Sequence, residues 1–279
     1  MEPTSEPPVA SSETGDSGVG SSLTPLLRLR NVTKSFGAVQ ALRHVDLDVA
    51  PGKVTALIGD NGAGKSVLIQ TIAGIFPADT GEMYWRGERV HVHNPRNAAD
   101  LGIATVYQDL ALCNNLDIVQ NMYLGREEKR HGVLDEIKME LETKRLLAEL
   151  SVTTVQSVRQ LVGSLSGGQR QSIAVARAVM RESQLVIMDE PTAALGVSQT
   201  AQVLALVRKL SERGIAVLLI SHNLNDVFSV ADYIAVMHLG VLVSSGPIAN
   251  YDTTSAVELI TTGASAKVPS SLVRAGHEG

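Results

Sequence analysis

One cysteine, Cys113, is the only thiol in the chain. A single thiol excludes an intramolecular disulfide framework and agrees with a reducing compartment; Cys113 reads as a small, partly buried hydrophobe. Long apolar runs are missing as well. The longest, Ile215 to Ile220, is far short of the ~20 residues that a membrane-spanning helix requires. Positive charge is absent from the leading segment, where Glu2, Glu6, Glu13 and Asp16 precede the first base, Arg28, and no apolar stretch follows. That pattern does not fit a secretory signal, so a cytoplasmic location is expected. Clustered bases are lacking throughout. Lys and Arg number 24 against 29 Asp and Glu, for a net charge of −5, and setting aside the four leading acids leaves 24 against 25. Without a basic run to displace phosphate counterions, nucleic acid is not expected as a partner.

What remains is a 279-residue chain, 44% hydrophobic, long enough to bury a substantial core. Residues 1–24 are dominated by Ser, Gly, Pro, Glu and Thr and read as a disordered tail. From about Thr262 the chain is again Ser, Gly and Ala rich, and a fraying tail over 263–279 is expected. A single domain is expected over 25–262. Short β-branched segments are predicted as strands at Leu26 to Val32, His44 to Val49, Lys53 to Ile58, Glu82 to Arg86, Ile103 to Tyr107, Leu185 to Asp189, Ile215 to Ile220, Tyr233 to Met237 and Val241 to Ser245. Helical periodicity marks Lys65 to Ala73, Pro95 to Leu101, Gly167 to Arg181, Ser198 to Glu212, Leu224 to Val230 and Thr254 to Thr261. This alternation predicts an α/β fold with a mainly parallel sheet and an antiparallel β flank. It breaks between Asp109 and about Gly163, where the pattern is helical, as in Lys138 to Leu150; an inserted α-helical subdomain is expected there.

Gly59-Asp60-Asn61-Gly62-Ala63-Gly64-Lys65-Ser66 fits G-x-x-x-x-G-K-[ST] and lies between the apolar strand Val54 to Ile58 and a helical segment, the context of a P-loop. Its glycines let successive N–H groups face phosphate oxygens, and the helix start adds partial positive charge. Lys65 is expected to bridge the β- and γ-phosphates, with the Ser66 hydroxyl serving Mg²⁺. Leu185-Val186-Ile187-Met188-Asp189-Glu190 delivers two acids at the C-terminal edge of a buried strand. Asp189 is placed to hold Mg²⁺ through water and Glu190 to act as general base on the attacking water. Together the two motifs imply hydrolysis of a nucleoside triphosphate in a P-loop NTPase core.

Leu165-Ser166-Gly167-Gly168-Gln169 resembles the signature motif of the ABC ATPases letter for letter. It is also a Gly-rich helix start, with Ser166 and the N–H groups of Gly167 and Gly168 able to meet an anion. The resemblance, which spans about Leu26 to Thr262, implies ATP and Mg²⁺ as cofactors. It also implies that Ser166, Gly167, Gly168 and Gln169 face the γ-phosphate held by an opposite subunit, as in a homodimer of cassettes. It makes Gln108 the Q-loop glutamine near Mg²⁺ and the attacking water, His222 the switch histidine, and Phe36 the aromatic that stacks on adenine. Taken alone, Phe36 reads as core. The nucleotide site so implied comprises Phe36, Gly59, Asn61, Gly62, Ala63, Gly64, Lys65, Ser66 and Val67.

Tyr107 to Leu112, Leu116 to Ile118 and Asn121 to Glu127 resemble more narrowly the ATPases of ribose-, xylose- and fructose-type importers. That likeness implies transmembrane permease subunits as partners, with residues 109–127 as the docking surface, and an extracytoplasmic sugar-binding protein acting indirectly. The chain would then sit peripherally on the inner face of the membrane. Two positions depart from the family pattern. Gly196 stands where the D-loop Asp is usual, and Val67 replaces a Thr, losing a hydroxyl toward the α-phosphate but keeping its N–H. His91 and His93 could imitate half a metal site but read as surface or turn histidines, and Arg126 to Arg130 reads as a solvated helix end or loop. A soluble ABC ATPase of DNA maintenance or translation is the alternative. The single cassette and the short interval between Gln108 and Leu165 favour transport over it.

Overall fold

The computed structural model describes residues 24–180 and 182–273. The chain opens with β1 (Leu27–Phe36), β2 (Val39–Val49) and β3 (Val54–Gly59), then α1 (Lys65–Ile72), β4 (Thr80–Trp85), β5 (Glu88–Val90), α2 (Pro95–Asp100) and β6 (Ile103–Val106). A helical stretch follows: α3 (Ile118–Tyr123), the short pair β7 (Lys129–Arg130) and β8 (Val133–Leu134), α4 (Glu136–Glu149) and α5 (Gly167–Val179). The last part is β9 (Leu185–Asp189), α6 (Val197–Glu212), β10 (Ala216–Ile220), α7 (Leu224–Val230), β11 (Tyr233–His238), β12 (Val241–Pro247) and α8 (Thr253–Thr262).

Two sheets organise these elements. The larger has the order β12-β11-β3-β10-β9-β6. Every pairing from β11 to β6 is parallel, and β12 is an antiparallel edge. The smaller, β2-β1-β4-β5, is antiparallel throughout. Strand periodicity divides the core. Val54, Ala56 and Ile58 of β3 face the helices α5 to α8, while Leu57 joins a second cluster that also takes Leu68, Ile69 and Ile72 of α1 and Leu27, Leu29 and Leu42 of the smaller sheet. α1 is therefore packed between the two sheets, and β3 and β10 are buried at every position, as the near-continuous apolar strands of a covered parallel sheet must be.

Between β6 and α5, Ile118, Met122, Met139 and Leu147 carry α3 and α4 onto the larger core. Asp117 and Gln120 cap α3 reciprocally. Arg159 ties this region together through Asp117, Glu136 and Glu140, at 3.4, 3.2 and 2.8 Å.

The expected α/β fold, parallel sheet and antiparallel flank are present, with local differences. β1 runs past Val32 to Phe36 and β2 starts at Val39, because register shifts let the pair continue beyond the apolar pattern. β5 and the β7–β8 pair, which takes up part of the charged run 126–130, are too short to leave a period in sequence. The expected fraying from about Thr262 is not what residues 263–273 do. Gly263 ends α8 in the left-handed region, Val268 is buried, and Val273 bridges to Ser244 of β12, whose hydroxyl donates to Leu272 O at 2.8 Å. Apolar residues spaced along a small-residue tail dock it. The leading tail expected over 1–24 and the last residues, 274–279, lie outside the described residues, apart from Thr24.

Candidate nucleotide site

Parallel strands deliver their C-terminal ends to one edge of the sheet, and the loops that leave β3, β9 and β10 build the site there. Gly59 to Ser66 wraps from β3 into α1. A Cβ on Gly59 would stand 2.4 Å from Met237 O, and one on Gly64, at φ 99°, would stand 2.6 Å from Ala41 O. Only glycine lets the loop lie this close to its two neighbours. The loop is also held from outside: Gly240 N–H donates to Ala63 O at 3.0 Å, and Arg43 N–H donates to Gly240 O at 2.8 Å.

Lys65 is buried, and its Nζ donates to Gly59 O at 2.8 Å and Asp60 O at 3.0 Å. Burial pulls its pKa below the ordinary lysine value, opposed by the charges of Glu190, Asp60 and Asp189. Asp189, at the end of β9, is pushed above the usual carboxylate range by burial and by Glu190 beside it, with Lys65 pulling the other way. Glu190 holds φ 48° and its N–H donates to Ile220 O at 3.0 Å, which pins it to the neighbouring strand end. His222 comes off β10 and brings Nδ1 within 3.2 Å of Glu190 Oε2. Beneath them the Thr192 hydroxyl donates to the buried carboxylate of Asp226 at 2.7 Å, joining the loop after Glu190 to the first turn of α7.

A cavity of about 330 Å³ is lined by Asn61, Gly62, Gly64, Lys65, Ser66, Val67, Asp189 and Glu190 on one side, while His222 touches Glu190 from outside the lining. Gln40, Ala41 and Arg43 of β2 and Leu239 and Gly240 of the β11–β12 turn close the other. Sequence reasoning missed this second wall because it comes from segments distant in the chain with no phosphate-binding pattern of their own. Gly59 and Ala63 support the loop from behind the lining. Phe36 is not among the lining residues. It ends β1 46% exposed, so it is not core, and its ring meets that of Phe76 edge-on at 5.1 Å, with Lys34 Nζ 5.5 Å from both centroids. Gln108 is exposed, two residues past β6.

Ser166 to Gln169 lies outside this cavity lining. Ser166 N–H donates to Gln169 Oε1 at 2.8 Å and Gln169 N–H to Ser166 Oγ at 3.3 Å, a reciprocal cap on α5. A Cβ on Gly168 would stand 3.0 Å from that of Gln199 in α6, so the glycines permit close approach of two helix starts. Gly196 caps α6 without a side-chain bond, and nothing lies within 4 Å of where its Cβ would be. His91 and His93 stack at 6.0 Å, and no group of three or more potential metal ligands occurs among the described residues. Among those residues no helix is long and apolar enough to cross a membrane.

A family model described as "ABC transporter" matches residues 42–193, a stretch that begins on β2 and includes the phosphate loop, Gln108, the Ser166 turn and Glu190. The chain belongs to the ABC transporter family. Nucleotide binding follows from that membership. The fructose import ATP-binding protein FrcA of Rhizobium meliloti is 46% identical over 77% of this chain and 86% of its own length. The xylose/arabinose import ATP-binding protein XylG of Sulfolobus acidocaldarius is 45% identical over 79% and 88%. A ribose import ATP-binding protein of Rubrobacter xylanophilus is 38% identical over 85% of this chain, which spans 48% of that relative. Among solved structures, the ADP conformation of an ATP-binding cassette of an ABC transporter superposes with a TM-score of 0.73 at 27% identity, covering 85% of this chain and 95% of that one.

Proposed function

We propose that this cassette is the ATP-hydrolysing subunit that energises an ABC importer for a monosaccharide. The observation that carries the reading is the meeting of Lys65, Ser66, Asp189 and Glu190 at one cavity, with His222 outside the lining but in contact with Glu190 and the Ser166 turn lying away from it. The names of the fructose and xylose/arabinose import relatives supply the substrate class.

The residues present suit MgATP. Two loop glycines keep side chains out of the cradle, and a hydroxyl and a carboxylate offer the hard oxygens that Mg²⁺ prefers, too few to hold it without phosphate oxygens and water. Ser66, Asp189 and Gln108 would hold the metal, which neutralises the triphosphate charge. Lys65 would exchange its carbonyl partners for β- and γ-phosphate oxygens, and Asn61 to Val67 would present N–H groups to them. Glu190 accepts the proton of the attacking water, and His222 holds that carboxylate and reports on the γ-phosphate. Phe36, half exposed and outside the lining, would stack on adenine. Because Ser166, Gly167, Gly168 and Gln169 stand apart from their own cavity, they complete the site of a second copy, head to tail. The segment 109–127 borders a separate cavity of about 370 Å³ lined by residues including Asp109, Leu110, Leu124 and Arg126, and this is where a transmembrane permease would dock, placing the chain on the inner face of the membrane.

The test is to capture tagged Glu190→Gln protein from solubilised membranes with MgATP present and identify what accompanies it by mass spectrometry. A multispanning permease, with or without a sugar-binding protein, is the expected result. Recovery from the soluble fraction alone, with ribosomal or DNA-repair proteins, would overturn the transport reading.

A further inference from the structure

Arg177 lies near the C-terminal end of α5, the helix whose first turn is Ser166 to Gln169. Its guanidinium reaches out of that helix to two successive carbonyls, Nη2 donating to Leu110 O at 3.0 Å and Nη1 to Ala111 O at 2.9 Å. Both carbonyls belong to the segment that directly follows Gln108. Ala111 is held at φ 48°, a region that L side chains disfavour, and its N–H faces the Asp109 carboxylate at 3.3 Å. From the other side, Arg126 Nη2 donates to Arg177 O at 3.1 Å. A guanidinium is a planar fork, so two carbonyls bound at once fix both the position and the tilt of the loop that carries them.

We propose that Arg177 is a positioning residue for ATP hydrolysis: its fork fastens the loop bearing Gln108 to the helix bearing the Ser166 turn, so that the two move as one body. Gln108 belongs to the chain's own site and the Ser166 turn to that of the second copy. Arg177 thus links the metal-holding glutamine of one site to the phosphate-facing turn of the other. This rests on the role of Gln108 proposed above.

The test is a four-way comparison of wild type, Arg177→Lys, Gln108→Ala and the double variant. Steady-state ATPase of the full chain is measured at saturating protein, with competent sites counted by a fluorescent ATP analogue. Lysine keeps the charge but lacks the planar fork, so it cannot fix the tilt of two carbonyls as the guanidinium does. Arg177→Lys should lower kcat by about tenfold with nucleotide affinity unchanged, as a small misplacement of a positioned group does. In the Gln108→Ala background the same change should cost less than about twofold, because the group being positioned is gone. Equal losses in both backgrounds, or no loss in the first, overturn the proposal. An unchanged kcat in Gln108→Ala alone instead removes the role of Gln108, and the proposal falls with it. Poor folding shows as fewer competent sites, and Arg177→Gln, which can reach one carbonyl, then repeats the cycle.

Discussion

Lys65 and Asp189 are displaced in opposite directions by the same burial, and each is partly restored by the other. For Asp189 the sign follows from linkage. A carboxyl whose folded pKa is raised binds its proton more tightly in the folded state, so its ionisation destabilises the fold as pH rises through that pKa. Asp189→Asn should therefore raise the thermal midpoint of the nucleotide-free protein at neutral pH, with the advantage shrinking as the pH falls below the raised value, while Mg²⁺-dependent hydrolysis is lost. Midpoints across a pH series check it. Glu190→Gln should slow hydrolysis by roughly 10²- to 10⁴-fold in single-turnover measurements and spare nucleotide binding. At Val67, which lines the cavity, a threonine would add one neutral hydrogen bond. Val67→Thr should tighten ATP binding by about 1 kcal/mol, read by titration. The residues of the phosphate loop and the β9 end were legible because their spacing is itself the chemistry. Phe36 was harder: an aromatic after an apolar strand looks like core until the strand is seen to run on to its last, half-exposed position.

Strands and helices with a full period announced themselves, and those too short for one did not. β3, β9 and β10 are apolar runs ending in chemistry, and α5 begins with S-x-x-Q, which the structure turns into a reciprocal cap. Ser166→Ala should lower stability by about 1 kcal/mol through the lost cap alone, measurable by denaturant unfolding without nucleotide. The β7–β8 pair, two residues to a strand, escaped notice because too few residues repeat to show a face. The cavity wall from β2 and the β11–β12 turn escaped for a different reason. Sheet order, which places β11 beside β3, brings in Leu239 and Gly240, and Gln40 and Arg43 come from the other sheet through the Arg43–Gly240 contact; neither is written in any local pattern.

If the Ser166 turn serves a second copy, as proposed, each molecule carries two half-sites and the unit of function is larger than the chain. In a head-to-tail pair, the Ser166 turn of each copy would close the cavity of the other. Glu190→Gln protein should therefore run as a dimer on size exclusion with MgATP and as a monomer once the metal is chelated; a monomer in both conditions would argue against the paired site. That architecture reached the sequence reading only through the resemblance of Leu165 to Gln169 to a known motif, since nothing in spacing tells a cis contact from a trans one.

The segment 263–273, which docks along β12, bears on a separate hazard. β12 is an edge of the larger sheet, and its partner on the inner side is β11. Val273 bridges to Ser244 and Leu272 O receives the Ser244 hydroxyl, so the open flank of that strand is covered at Ser244 by the chain itself. An uncovered edge offers unpaired N–H and C=O groups to any passing strand. Leu272 and Val273 thus act as a guard rail over the middle of that edge, where a foreign strand would otherwise pair.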